Sequence, residues 1–555
     1  SEIDRISSST TWAGQSLLDG TFTGKSFQVG TGTMAADQLV TSIAGASSGY
    51  LGLSGSSGST ITTPQKIGSE FQVNTYTTGD QGNFGSSITV LSDGKFVIAW
   101  ESEGQDGSSY GVYGQVYNSD RTKFGAEFQV NTSTNDSQIM PVLTHLENGG
   151  FMAAWRDKTH DGDSFGTFAQ VFNQHGNKVG GQFQVNTTTA RNQFNPSIST
   201  LTNGSVVVTW MDSAADGNEY GMFGQIFSAT GNKIGSEFQI NTYASNQQHS
   251  GKVTGLEDGG FAVTWTSVEQ DGDSGGIYLQ LFDENATKVV SETQVNSTTT
   301  GSQDWSDIAS LADGGFIVTW QSDGQDGDSN GIFGQRYGSS GAKAGSEFQV
   351  NTQAAGSQEN GTVIGLSDGS FLMAWSSSSN HPDGSGYGIY GQRYDSGGNT
   401  VGDEFQINTY ESGDQSLISL EQLSDGEIIA SWTSDGQDGD GDGVFAQIFD
   451  VRATNVDLTN ASNSQSTITL VDAALQTLNS QRARLGALSN RIDHIVASNT
   501  NISINIQASL SRIQDADFAL ETSKLAKSQI LQQASTAMLS QANASKQNIL
   551  TLLQN

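Results

Sequence analysis

Apolar and polar residues follow two different periods along this chain. Between about residues 64 and 450 they fall in short runs rich in Val, Ile, Phe, Tyr and Trp, bounded by Gly, Asp and Asn, and this pattern predicts β-strands. The runs repeat. Tryptophan occurs at Trp100, Trp155, Trp210, Trp265, Trp320, Trp375 and Trp432, spaced by 55 residues five times and then by 57. An FQVNT-type segment recurs at Phe71, Phe128, Phe183, Phe238, Thr293, Phe348 and Phe405. An Asp-Gly or Asn-Gly pair recurs at Asp93, Asn148, Asn203, Asp258, Asp313, Asp368 and Asp425. Such pairs between apolar runs predict type I′ hairpins, which need positive φ at both positions.

One unit resolves into four strands: Ser87–Leu91, Lys95–Ser102, Gly111–Tyr117 and Glu127–Thr132. The second carries Phe96, Ile98 and Trp100 on one face and Val97 and Ala99 on the other, so both faces must be covered. Seven four-stranded units stacked radially do this, and the expected architecture is a seven-bladed β-propeller. The last unit ends at Phe449 without an FQVNT strand, while an unaccompanied copy, Phe71–Thr75, precedes the first. Phe71 and Val73 are therefore expected to pair with the strand holding Phe445 and Phe449 and so latch the ring. Closure removes an exposed edge and brings the domain's two ends together, as an inserted domain requires. A string of two-unit β-sandwiches or a β-solenoid is the competing architecture; the odd number of units and the shared strand count against it. Ahead of the repeat, Ser26–Gly30 reads as a strand, Ala35–Ala44 as a short helix and Gly49–Thr63 as a linker.

After Asp450 the period changes to three and four. A first stripe runs from Val471 through Leu478, Leu485, Ile492 and Ile502 to Ile513, predicting a helical rod of roughly 65–70 Å. Asp515–Asp517 reads as a joint. A second stripe follows at Leu531, Ala534, Met538, Ala542, Ile549 and Leu552, while Leu539, Leu550 and Leu553 lie off it. A helix apolar on more than one side needs several neighbours. From Thr522 onward there is no Asp or Glu, only Lys524, Lys527 and Lys546, so these six stripe residues read as a self-assembly surface.

The run over residues 511–553, SRIQDADFALETSKLAKSQILQQASTAMLSQANASKQNILTLL, resembles the C-terminal end of bacterial flagellins. Glu2-Ile3-Asp4-Arg5-Ile6-Ser7, Trp12-Ala13-Gly14 and Lys25-Ser26-Phe27-Gln28-Val29-Gly30 resemble the segment that follows that family's long N-terminal helices. The resemblance implies a multidomain, N-terminally truncated flagellin: residues 1–63 as the remainder of the N-terminal core and linker, and 64–450 as a surface-exposed propeller. Residues 451–514 would form the connector and inner-shell helix, and 515–555 the helix of the innermost tube. It also implies a homopolymer in an extracellular filament, exported without a cleaved signal, with an export chaperone and a filament cap as partners.

Composition narrows the remaining chemistry. With 24 Lys+Arg against 58 Asp+Glu the net charge is −34, which disfavours nucleic acid and anionic membranes as partners. There is no cysteine, hence no disulfide framework or thiol chemistry. No apolar run of membrane-spanning length occurs. After each repeat tryptophan comes a loop with Asp-Gly, at Asp106, Asp161, Asp216, Asp271, Asp326, Asp383 and Asp438. A ring of such loops on one face suits Ca²⁺ or a glycan, but Asp-Gly also simply makes a turn, and the turn is the preferred reading. The best local calcium ligands are Asp438, Asp440 and Asp442, then Asp326 and Asp328; the first set starts like an EF-hand loop but has Phe449 where that loop needs a Glu. The six histidines are scattered, and no HExxH, GxSxG or phosphate loop occurs, so neither an enzyme nor a cofactor is expected beyond calcium. The seven repeat tryptophans read as blade packing. The sequence thus points to a filament subunit displaying an acidic propeller, with a displayed adhesin that binds carbohydrate or calcium as the alternative.

Overall fold

The computed structural model describes residues 64–158, 160, 162, 164–213, 217, 219–378 and 386–451. Elsewhere it describes residues 11–12, 15–16, 25–28, 38–41, 497, 500, 503–512 and 518–550. The chain divides into two compact units, Gly52–Ile468 on the one hand and Ser1–Leu51 with Thr469–Asn555 on the other.

The first unit contains seven antiparallel sheets of four strands, each sheet one repeat of the sequence. Blade 1 runs Gln81–Val90, Phe96–Glu103, Tyr110–Tyr117 and Lys123–Gln129 from the axis outward. The innermost strands of all seven blades line one axial cavity of about 390 Å³. All seven repeat tryptophans are fully buried. Trp155 of blade 2 packs against Val97 and Ala99 of blade 1, so one face of a second strand receives the tryptophan that the next blade supplies. Gly224 lies under Phe238 of the neighbouring outer strand, where a methyl group would come within 2.7 Å of the ring. The FQVNT aromatic therefore needs a small residue beneath it at this point.

Blade 7 takes its outer strand from the beginning of the domain. Gln65–Gln72 pairs with Asp442–Asp450, setting Ala446 opposite Phe71, Phe445 opposite Gln72 and Phe449 opposite Lys66. Val73, fully buried, donates its N–H to the Val444 carbonyl at 2.8 Å.

The Asp-Gly and Asn-Gly hairpins are not type I′. In the first, the Gly94 N–H bonds the Leu91 carbonyl at 2.9 Å and only the glycine has positive φ (81°). This is a type I turn followed by a left-handed glycine. Asp93 Oδ1 accepts the Lys95 N–H at 3.1 Å, and the Asp or Asn of the other six turns does the same. The side chain thus stabilises a right-handed backbone at the residue for which the type I′ assignment required a left-handed one.

A second device, absent from the reading of the sequence above, recurs between the blades. The Asn of each FQVN segment accepts an N–H of the third strand on its Oδ1, as Asn131 does from Val112 at 2.8 Å. Its Nδ2 donates to the carbonyl two residues on and to a Gln seven residues on, which opens the next blade. The pairs are Asn131–Gln138, Asn186–Gln193, Asn241–Gln248, Asn296–Gln303, Asn351–Gln358, Asn408–Gln415 and, across the closure, Asn74–Gln81. Their N···O distances lie between 2.8 and 3.0 Å, and both amides are buried.

In the other unit, Gln38–Thr41 is a strand paired antiparallel to Lys25–Gln28, not part of a helix over Ala35–Ala44. Val40 and Thr41 suit a strand, and the ladder partner at Lys25–Gln28 decides between the two. Residues 503–512 and 518–550 are helical. The rest of the predicted rod from Val471, and the joint at Asp515–Asp517, lie outside the described residues apart from helical positions 497 and 500.

Removing one clamp leaves the buried Oε1 of a glutamine and a buried backbone N–H without their partner, as Gln248 and the Met222 N–H would be without Asn241. We expect Asn241→Ala to cost roughly 2–4 kcal/mol and Asn74→Ala, at the closure, at least as much. Urea unfolding with the m-value unchanged from the parent chain measures it.

Candidate functional surfaces

The terminal helix, about 50 Å long over residues 518–550, exposes its apolar residues on every side. Leu531, Met538 (74% exposed) and Ile549 are open, as are Ala534 and Ala542 on the same stripe and Ile530, Leu539 and Leu550 off it. Leu552 lies outside the described residues. Lys524 pairs with Glu521 one turn before it at 3.3 Å, beyond which no acid follows.

The Asp-Gly loops are tied into the blades. Asp106 Oδ1 accepts the Ser108 N–H and Oδ2 accepts from Gln129. Asp326 likewise accepts from the Asp328 N–H and from Asn351, and Asp438 from the Asp440 N–H, Gln72 and Asn74. The Gln before the Asp bonds the Glu of the outer strand in Gln105–Glu127, Gln270–Glu292, Gln325–Glu347 and Gln437–Glu70. Of the calcium candidates, Asp440 accepts the Gly79 N–H, the Asp442 N–H bonds Asp80, and Asp328 accepts the Gly356 N–H. Among the described residues no group of three or more His, Asp or Glu side chains is placed to hold a metal ion. Asp161, Asp216 and Asp383 lie outside them.

The mouth of the axial cavity is built from a bulge in every innermost strand. The residues at its centre, Gly85, Met140, Asn195, Ser250, Trp305, Asn360 and Leu417, all have φ between 49° and 97°. This left-handed region favours Gly and Asn and is costly for bulky side chains. Beside it Phe84, 41% exposed, meets Tyr110 edge-on. The Arg156 guanidinium lies 3.5 Å from the centre of the Phe165 ring and 4.3 Å from that of Phe194.

Beneath Phe84 lies Glu101, fully buried, its Oε1 accepting the Phe84 N–H. Burial pushes this carboxyl up to about 7; backbone N–H groups of Phe84, Glu101 and Met140 pull it down, and Asp442 adds repulsion. Asp442 is itself pushed up to about 6, by burial first and then by Asp80, Asp435, Asp414 and Asp438. The joint between blades 7 and 1 therefore concentrates like charge.

In blade 2, Ser133, His160 and Asp157 stand in line. The Ser133 hydroxyl meets His160 Nε2, and His160 Nδ1 meets the fully buried Asp157 at 2.5 Å. The order is that of a hydrolase triad. Yet His160 occupies the place of Gln105, Gln270, Gln325 and Gln437, and the outer strand facing it carries Gln182 where those four blades carry Glu. The histidine meets Asp157, which itself stands where five of the other blades carry Ser. Sequence spacing alone held no sign of this line, since Ser133 and His160 come from different loops.

Fold and surfaces together define a closed seven-bladed propeller carried in one chain with an outwardly apolar helix that has no acid after Glu521. Residues 468–553 match the bacterial flagellin C-terminal helical region, so the chain carries a C-terminal region of flagellin type. Polar flagellin A of Vibrio parahaemolyticus is 39% identical over 155 residues, which are 28% of this chain and 40% of that protein. Flagellin A of Vibrio cholerae is 48% identical over 100 residues, 18% of this chain and 26% of that protein. The chain spans less than half the length of these relatives. Among solved structures, polysaccharide lyase Uly1 aligns with 68% of this chain and 90% of its own at 10% identity and a TM-score of 0.44. A protein of unknown function from Dyadobacter fermentans aligns with 71% of this chain and 100% of its own at 10% identity and a TM-score of 0.43. Likeness of this degree assigns no chemistry.

Native Glu101 keeps its proton up to about pH 7, whereas the unfolded carboxyl releases it near 4.5. Stability contributed at acid pH is thus lost as pH rises between these values, by on the order of 3 kcal/mol, with Asp442 adding in the same direction. Glu101→Gln should flatten this slope and raise the melting temperature at pH 8, because Gln321 fills the corresponding place in blade 5 and accepts the Asn360 N–H. Thermal unfolding from pH 5 to 8 tests this.

Proposed function

We propose that this chain belongs to a structural subunit of the bacterial flagellar filament, which polymerises through its terminal helices and displays the acidic propeller outside. One observation carries the proposal: a helix without acids after Glu521, apolar on several sides, within the region that matches flagellins. Such a surface in water is unfavourable unless several neighbours cover it, and identical helices of other subunits suit it because no buried carboxylate has to be neutralised. Leu531, Ala534, Met538, Ala542, Ile549 and Leu552 would make these contacts. Polymerisation with like subunits, an export chaperone, a filament cap and an extracellular location belong to the same proposal. No described helix is long and apolar enough to cross a membrane.

The role proposed is structural rather than catalytic. In a second reading the displayed propeller is also an adhesin, and the exposed Trp305 at the cavity mouth favours it.

Truncation after Ile513 should abolish polymerisation while the propeller keeps its parental melting transition, with the N-terminal helices supplied in both chains; normal filaments from the truncated chain would sink the proposal. A fluorophosphonate probe should leave Ser133 unmodified, as mass spectrometry of the treated protein would show. Stoichiometric labelling there would mean that blade 2 is a hydrolase.

A further inference from the structure

Of the seven left-handed positions around the axial cavity, Gly85, Asn195 and Asn360 suit the backbone, Ser250 is buried, and Met140 and Leu417 are half-buried; Trp305 alone of the seven is both bulky and exposed. Its φ is 53°, in a region that bulky residues rarely adopt, and its side chain is 48% exposed. The indole therefore neither relieves the backbone nor gains a core. Strain kept for no packing benefit marks a functional position. The platform beneath it is rigid. Ser306 is buried and receives a bond from Thr264 of blade 4 at 3.2 Å. Asp307 accepts from the Thr362 hydroxyl at 2.7 Å and the Val363 N–H at 3.1 Å, both of blade 6.

The cavity's size suits a small ligand. Its lining has two charged residues, Lys252 and Asp307, at corresponding places in blades 4 and 5; no ion pair joins them, and together they sum to zero. Besides Trp305, the half-exposed Phe84 and Met140, the rest of the lining is aliphatic or bears hydroxyl and amide groups.

From this we infer that the mouth of the axial cavity binds a neutral saccharide, with Trp305 as the stacking platform and Lys252 and Asp307 as partners for ring hydroxyls. A pyranose presents an apolar C–H face to the electron-rich face of an indole. Its hydroxyls each donate and accept, so one can receive from an ammonium while another gives to a carboxylate. An anionic ligand would meet the field of a chain of net charge −34. A cationic one would leave Lys252 repelled. Displayed in many copies, a weak site of this kind gains strength by avidity, and that consequence rests on the filament reading.

In a Trp12→Phe background the full chain supplies its own reporter, because the seven repeat tryptophans are fully buried and Trp305 is exposed. Titration with neutral glucan, mannan, galactan and N-acetylglucosamine oligomers should change the intrinsic fluorescence saturably for at least one of them. Trp305→Asn should weaken binding by about tenfold or more, as should Lys252→Met. The asparagine variant is expected to fold, since Asn195 and Asn360 hold that conformation in blades 3 and 6; an unchanged melting temperature checks it. The inference is overturned if no neutral oligomer changes the emission, if Trp305→Asn binds as the parent does, or if acidic oligosaccharides or amine-bearing peptides bind in preference. Filament assembly of the parent protein, scored separately from its saccharide binding, keeps the two readings apart: assembled filaments without saccharide binding defeat only this one, and binding without assembly defeats only the other.

Discussion

Between every pair of blades, one buried asparagine holds a backbone N–H of its own sheet and the side chain of the glutamine that begins the next. Buried amides without partners are costly, so these groups must all be satisfied together or the interface does not form. The clamp thereby sets how far one blade turns relative to its neighbour. Seven identical joints leave nothing to adjust at the end, and the Asn74–Gln81 pair closes the ring with the same bond lengths as the rest. One repeat tryptophan sits in each of the seven apolar clusters, but apolar burial is non-directional. The amide pair gives direction.

The same chain treats apolar surface in two opposite ways. In the propeller the repeat places it between blades, where it is covered, and leaves most acids outside, Glu101 and Asp157 being among the buried exceptions. In the terminal helix it is left open on all sides and no acid follows Glu521. Charge repulsion favours solubility of the acidic domain, and a helix whose only charges after Glu521 are Lys524, Lys527 and Lys546 can approach copies of itself without desolvating carboxylates there. Even within the propeller the acids are uneven. The joint of blades 7 and 1 gathers Glu101, Asp80, Asp414, Asp435 and Asp442, although this is the interface that depends on two distant parts of the chain meeting.

Repetition also makes departures informative. At the cavity mouth the repeat tolerates Gly, Asn, Ser, Met and Leu in one strained conformation, and a lone tryptophan there stands out against six internal controls. The line of Ser133, His160 and Asp157 shows the reverse case. It has the order of a triad, but the frame explains it as a histidine in a glutamine's place beside an outer strand that carries Gln182 instead of Glu.

Much of the architecture could be read from the residues. The spacing of Trp100 to Trp432 determined the number of blades, the displaced Phe71–Thr75 segment indicated how the ring would close, and the acid-free stripe from Leu531 set the terminal helix apart from the propeller, because each is a matter of period and composition along the chain. The Asn-to-Gln step of seven residues was equally present in the sequence. It went unread because nothing in one dimension says that the two amides face each other across a blade boundary. The hairpin type was misjudged because Asp93 can serve its own turn through its side chain, and Gln38–Thr41 became a strand only because Lys25–Gln28 lies beside it. Which tryptophan is wet, which carboxylate is buried and which loops converge on the axis were decided by the tertiary structure alone. Burial and strain depend on neighbours that the chain brings together only when the ring is closed.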